Sequence, residues 1–248
     1  MTGALGVIAG TGFYALAELS EPETFTQSTE YGDAQVTSGL LHGRPTYFVS
    51  RHGADHSVPP HVVNYRAVMQ SLVDMGVTEI LAINVVGGIG HEAGALVVVD
   101  DFIDFTKQRP VTFFDGSTPE GVVHIDMGEP YSERLRQAWI HAAERVSIPV
   151  TPRGVYGAFE GPRFETRAEI KMASILGVTV VGMTGVPEVV LAAECALPYA
   201  SLCLVANPAA GLSDDPITID EVQAVVSRGA ESVTKILFEA AGLLAAAE

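Results

Sequence analysis

Short apolar runs that stop at glycine, with amphipathic stretches between them, recur along this chain and leave little choice of architecture. Leu5 to Ala9 runs into Gly10-Thr11-Gly12, Ile80 to Val86 into Gly87-Gly88, Val178 to Met183 into Thr184-Gly185, and Tyr199 to Ala206 into Asn207. Apolar runs of this length, bounded by turn residues, read as buried strands. Gly154 to Phe159 reads as another, and Leu96 to Thr106 as a strand region. Helices are predicted over Asn64 to Met75, ending at Gly76; over Ser132 to Val146, with Leu135, Trp139 and Ala142 on one face; over Thr166 to Leu176; and over Pro187 to Cys195. Ala34 to Ser50 predicts a hairpin, with Ala34 to Leu41 and Thr46 to Ser50 about a turn at His42-Gly43-Arg44-Pro45. A short helix is expected after Gly12, stopping near Ser20-Glu21-Pro22. Thr218 to Ala247 predicts one long closing helix, broken or bent near Gly229 and Gly242. No repeat and no Pro/Gly/Ser linker divides the chain. The expectation is one α/β domain over residues 1–248, with a mixed, mostly parallel central sheet flanked by helices. Ligands of such sheets sit at the strand ends, where these glycine turns fall.

Bulk properties narrow the partners. Hydrophobic residues make up 48% and charged residues 18%, which is the composition of a folded globular chain. Fourteen Lys+Arg against 30 Asp+Glu give a net charge of −16, which repels nucleic acid and anionic membranes. An anionic ligand must therefore be held by a few local Arg side chains and backbone N–H groups. Two cysteines, Cys195 and Cys203, make no disulfide framework and point to a reducing cytoplasm. Met1 to Gly10 carries no Lys or Arg ahead of its apolar run and does not read as a secretory leader. The longest apolar stretch, Ile80 to Asp100, is interrupted by Asn84, His91 and Glu92 and falls short of the roughly 18 residues of a membrane helix.

Several residues at strand ends have chemistry to offer. Gly10-Thr11-Gly12 is either an anion-binding turn or a plain tight turn, about equally on its own residues. Its fit to a dinucleotide fingerprint, Gly10-x-Gly12-x-x-Ala15, lacks the full helix and second parallel strand that fingerprint needs. Arg51-His52 offers a planar fork and a second donor for an oxyanion. Thr11, Arg51, His52 and Thr184 are then four donors at strand ends, enough for one phosphate. A metal reading of His52, His56, His61 and His91 is set aside: Pro59-Pro60 breaks any helix that would align them, and no acid or thiol completes the set. Taken singly, Glu165 is a first-turn helix acid and Asn207 a turn opener.

Together, these motifs resemble the trimeric purine nucleoside phosphorylase and methylthioadenosine phosphorylase family, nearly end to end. The resemblance is carried by Gly10-Thr11-Gly12, Arg51-His52-Gly53-x-x-His56, Pro59-Pro60-His61-x-x-Asn64-Tyr65-Arg66, Gly87-Gly88, and Arg109-Pro110 with Phe114-Asp115-Gly116. Gly161-Pro162-Arg163-Phe164-Glu165 and Gly182-Met183-Thr184-x-Val186-Pro187-Glu188 complete it. It implies reversible phosphorolysis of a purine nucleoside, with inorganic phosphate as co-substrate and no metal or redox cofactor. By that match Thr11, Arg51, His52 and Thr184 hold phosphate, with backbone near Val85 and Val86. Met183 lies under the ribose and His56 faces the sugar side. Phe164 borders the base, and Glu165, Asn207, Pro208 and Ala209 surround its edge. Sites at trimer interfaces in the family imply a homotrimer, in which His124 reaches a neighbouring subunit's 5′ pocket.

Two positions refine the expected substrate. Family members that take 6-aminopurines carry Asp at the Asn207 and Ala209 positions and Ser at the Glu165 position. A carboxylate at 165 accepts the N1–H of hypoxanthine or guanine but faces a second acceptor in adenine N1, a mismatch that can discriminate by roughly 10⁴-fold. Asn207 can donate to N7, where leaving-group charge gathers. Members that bind a 5′-hydroxyl place a His before the last helix. Here no His follows His141, and Ile219 takes that place with Val222 beside it. An apolar lining suits a methylthio group better than a hydroxyl. The expectation is an enzyme for S-methyl-5′-thioinosine. The alternatives are a general inosine/guanosine phosphorylase and a methylthioadenosine phosphorylase. Hydrolysis of the same bond and a purine-sensing module without turnover are the competing classes.

Overall fold

In the computed structural model, residues 3–13, 16–53 and 57–246 are described. Among them, ten strands form one mixed sheet. In chain order the strands are β1 (Ala4–Ala9), β2 (Ser20–Thr29), β3 (Gly32–Leu41), β4 (Arg44–Ser50), β5 (Val77–Gly88), β6 (Leu96–Val98), β7 (Asp101–Asp104), β8 (Val155–Ala158), β9 (Val180–Gly182) and β10 (Tyr199–Pro208). The helices are α1 (Tyr65–Asp74), α2 (Glu133–Arg145), α3 (Arg167–Ile175), α4 (Gly185–Glu194) and α5 (Ile219–Ala246). The sheet path is β2-β3-β4-β1-β5-β9-β8-β7, and β10 lies against β5 and β6. Strands β4, β1, β5 and β10 run parallel to one another, so their carboxyl ends, Ser50, Ala9, Gly88 and Pro208, lie on the same side of the sheet. That shared edge is where the site forms.

The alternation of side chains along β1 sorts the two faces. Leu5, Val7 and Ala9 pack with Leu135 and Trp139 of α2 and with Ile236 and Leu237 of α5. Ile8 points the other way, into a cluster with Met69 and Leu72 of α1 and Val189 and Leu191 of α4. Full burial of each such aliphatic side chain contributes about 1.5–3 kcal/mol. Helix starts follow their caps: Asn64 accepts from the Ala67 N–H, Ser132 from the Leu135 N–H, and Thr166 forms a capping box with Glu169. Helix α1 stops before Gly76, whose φ of +71° suits glycine.

Three expectations need correction. The helix expected to stop near Ser20 is not found among the described residues; Leu16 to Leu19 form a turn and Ser20 opens β2. That strand, SEPETFTQST, is the sheet's edge and is mostly exposed, so no apolar alternation marks it, and Pro22 is tolerated where no ladder partner is needed. Leu96 to Thr106 is two strands with different partners, β6 antiparallel to β10 and β7 parallel to β8. Helix α5 runs uninterrupted through Gly229 and Gly242. Those glycines permit close approach: a Cβ would lie 3.0 Å from the Leu204 side chain at 229 and 3.1 Å from the His42 ring at 242. No helix among the described residues is long and apolar enough to cross a membrane.

Candidate active site

One pocket gathers the turns at the carboxyl ends of these strands. Gly10 and Thr11 follow β1, Arg51 and His52 follow β4, and Val85 to Gly87 end β5. Met183 and Thr184 join β9 to α4, Phe164 and Glu165 precede α3, and Asn207 and Ala209 end β10. The first turns of α5 add Ile219, Val222 and Gln223. Thr11, Arg51, His52, Thr184, Met183, Phe164, Glu165, Asn207, Ala209 and Ile219, from six separate segments, therefore line one pocket. Pro208 does not line the cavity; its carbonyl instead accepts from the Asn207 amide at 2.7 Å. His124 is exposed and stands outside its own chain's pocket. His56 lies outside the described residues.

The anion end is built from donors that the protein itself holds. Arg51 is buried and presents its Nε and Nη2 to the Glu188 carboxylate at 3.0 and 2.9 Å. Its Nη1 donates to the Ile83 carbonyl at 2.9 Å, which leaves two of five N–H groups for anything else. Burial alone would favour the neutral guanidine, but Glu188 more than offsets it, so the pKa is raised and Arg51 stays a cation. Tyr199 donates its hydroxyl to the same carboxylate at 2.6 Å. Because Glu188 balances Arg51, this end offers directed hydrogen bonds more than net positive charge. Gly10 is glycine for a physical reason: a Cβ there would lie 2.8 Å from Arg51 Nη1. His52 Nδ1 lies 2.8 Å from the Val58 carbonyl, which can only accept, so Nδ1 carries the hydrogen.

The Thr184 hydroxyl donates to Asn84 Oδ1 at 3.0 Å, and Asn84 in turn donates to Ser201 Oγ at 2.7 Å. The N–H groups of Thr184 and Gly185 go to the Tyr156 hydroxyl at 3.2 and 3.1 Å. Burial pushes that phenol up to about 12, so it stays protonated. Gly182 makes room for it, since a Cβ there would sit 2.2 Å from the Tyr156 oxygen. Asn84, Tyr156, Glu188 and Gln223 were not assigned roles from sequence. Gln223 was findable, because it follows Ile219 by one helical turn and shares its face. Glu188 was not, because a Glu in the first turn of a helix already satisfies the dipole.

The opposite end is shaped for a flat ligand. Glu165 is only 9% exposed, and burial raises its pKa; Glu169 adds to the rise, while its own backbone N–H and Arg163 oppose it. Asn207 sits at an irregularity in the β10–β5 register, between Val205 and Asn207, of the kind that re-aims side chains beside sites. Gly87 opposite must be small: a Cβ would lie 3.3 Å from Ala209 Cα and 3.5 Å from Asn207 Nδ2. Gly161, with φ +66°, lies over Met183, and a Cβ there would meet its sulfur at 2.6 Å. Ile170 and Ala173 of α3 pack with Phe159 and Ala209, tying the turn before α3 to the end of β10.

Residues 4–241 match the phosphorylase superfamily. A probable S-methyl-5′-thioinosine phosphorylase of Methanopyrus kandleri is 48% identical over 222 residues, 88% of this chain and 84% of that protein. A 6-oxopurine nucleoside phosphorylase of Pyrococcus furiosus is 40% identical over 97% of this chain and 92% of its own length. The methylthioadenosine phosphorylase of Schistosoma mansoni, solved with adenine, superposes with a TM-score of 0.94 at 33% identity, covering 99% of this chain and 93% of that one.

Proposed function

The chain belongs to the phosphorylase superfamily and is an enzyme of the nucleoside phosphorylase, pentosyltransferase kind, and we propose that it cleaves S-methyl-5′-thioinosine with phosphate to hypoxanthine and 5-methylthioribose 1-phosphate. The observation that carries this reading is that the Glu165 carboxylate and the Asn207 amide line the same pocket as Arg51, His52, Thr11 and Thr184. Glu165 accepts N1–H of a 6-oxopurine while Asn207, one amide hydrogen already on the Pro208 carbonyl, gives the other to N7. Negative charge builds on the departing base, and a preorganised donor at N7 is typically worth about 10²–10³ in rate. Phosphate is held by the two remaining Arg51 N–H groups, by His52 and by the hydroxyls of Thr11 and Thr184. Thr184 exchanges Asn84 for the phosphate oxygen. The anion steadies the oxocarbenium-like sugar above Met183 and then attacks C1′ from the far side of the base. No metal or redox cofactor enters the reaction.

Ile219 and Val222 supply the apolar lining that a 5′-methylthio group needs. Gln223 on the same face favours a second reading, inosine or guanosine, because its carboxamide can bond a 5′-hydroxyl. The S-methyl-5′-thioinosine phosphorylase and 6-oxopurine nucleoside phosphorylase names of the relatives support one reading each. His124, exposed on the segment between β7 and α2, completes the 5′ end of a neighbour's pocket in a cytoplasmic homotrimer. Comparing kcat/KM for S-methyl-5′-thioinosine, inosine and S-methyl-5′-thioadenosine tests the assignment. The methylthioinosine value is expected to be highest. A higher value for inosine transfers the assignment to the second reading, and a higher value for the 6-amino compound removes the role of Glu165.

A further inference from the structure

Arg109 belongs to a motif that the pocket does not absorb. It is absent from the lining, its side chain is 1% exposed, and it stands just before the long irregular stretch that leads to α2. All five of its N–H groups are spent on protein acceptors. Nε donates to Glu160 Oε1 at 3.2 Å, and Nη2 to the carbonyls of Phe159 and Glu160 at 3.2 and 2.7 Å. Nη1 donates to the Val186 carbonyl at 2.7 Å and to the Tyr65 hydroxyl at 3.3 Å. No donor is left for a substrate. Glu160 also takes the N–H groups of Lys107 and Gln108 at 2.6 and 3.3 Å, so the chain entering Arg109 is fastened from both sides.

The acceptors are informative because each begins or backs a different part of the pocket. The Phe159 and Glu160 carbonyls lead directly into Gly161 to Glu165, the base end. Val186 lies two residues past Thr184, the anion end. Tyr65 donates its hydroxyl to the Pro60 carbonyl at 2.9 Å, and the Met183 carbonyl lies 3.5 Å away, between the two ends. Each end also has supports of its own: Thr184 is held by Asn84 and Tyr156, and the turn carrying Glu165 by the capped start of α3. What Arg109 adds is the distance between them.

We propose that Arg109 is a positioning residue for phosphorolysis, setting the separation between the base-binding turn at Glu165 and the phosphate-binding turn at Thr184. The role rests on the phosphorolysis reading above. Losing it leaves each half able to bind its own ligand but misaligns phosphate and C1′, and a displacement of about 1 Å can cost about 10²-fold in rate. Lysine keeps the charge but offers at most three donors without the planar fork.

The test measures kcat, KM for nucleoside, KM for phosphate and the melting temperature of the wild type, Arg109→Lys and Tyr65→Phe, using whichever purine nucleoside the wild type turns over fastest. The expected result is a 10- to 100-fold fall in kcat for Arg109→Lys, with both KM values within about threefold and melting still well above the assay temperature. Tyr65→Phe, which removes one of the five acceptors, is expected to lose several-fold in kcat with the same KM pattern, and it decides the matter if Arg109→Lys does not fold. If kcat stays within twofold of the wild type, or if kcat falls only in step with the folded fraction, Arg109 is structural and the role is overturned. A wild type that turns over no purine nucleoside with phosphate overturns the phosphorolysis reading itself, and the role with it.

Discussion

Replacing Glu165 with Gln probes the choice between 6-oxo and 6-amino purines with one atom changed. The side chain is buried at the base end, and the shape of the pocket is kept. For a 6-oxopurine, Gln Oε1 still accepts N1–H, but the bond is no longer charge-assisted, a loss of about 1 kcal/mol. For a 6-aminopurine, the Gln amide can turn its N–H₂ toward N1. That replaces two facing acceptors with a hydrogen bond, a gain of about 2 kcal/mol. The two effects shift relative specificity by about 3 kcal/mol, roughly 10²-fold. The assay is kcat/KM for S-methyl-5′-thioinosine and S-methyl-5′-thioadenosine on both proteins at saturating phosphate. KM for phosphate should not change, since Arg51 and Thr184 belong to other turns. If both nucleosides lose equally and their ratio stands, Glu165 does not read the purine edge.

Protonation makes the same change reversibly. Because burial raises the Glu165 pKa, the carboxylate's charge is lost at a higher pH than for an ordinary carboxylate. The value of kcat/KM for the 6-oxopurine should fall across that pKa to a plateau about fivefold lower, the roughly 1 kcal/mol of lost charge assistance, while the 6-amino substrate gains as the carboxyl O–H becomes a donor to N1, with neither change in Glu165→Gln. A fall unchanged in Glu165→Gln would assign it to another group. Glu188→Gln leaves Arg51 buried without its counter-charge, both side chains being 1% exposed, and is expected to cost about 3–5 kcal/mol in denaturant unfolding. A cost below about 1 kcal/mol would mean that the pair is not what stabilises the anion end.

What could be read in the chain was local. Asn64, Ser132 and Thr166 mark helix starts because a cap uses neighbouring atoms, and Gly76 marks a stop for the same reason. The glycine turns mark strand ends because backbone and side chains pass close there. Edge strand β2 carries no such mark, since neither face is deeply buried and its register comes from β3. Leu96 to Thr106 reads as one strand region because no glycine or proline interrupts it, and only the separate partners of β6 and β7 divide it. The pocket's lining was legible through recurring motifs, but its supports were not. Arg51 and Glu188 are 137 residues apart, and Thr184 and Asn84 are 100 apart. Each of those residues has an ordinary local explanation that hides the distant contact.

Release of hypoxanthine from S-methyl-5′-thioinosine, followed with and without inorganic phosphate while the sugar product is identified, tests the chemistry of this pocket most directly. The expected result is release only when phosphate is present, with one equivalent of 5-methylthioribose 1-phosphate per base. Release at the same rate in phosphate-free buffer, with free methylthioribose as the product, would contradict it.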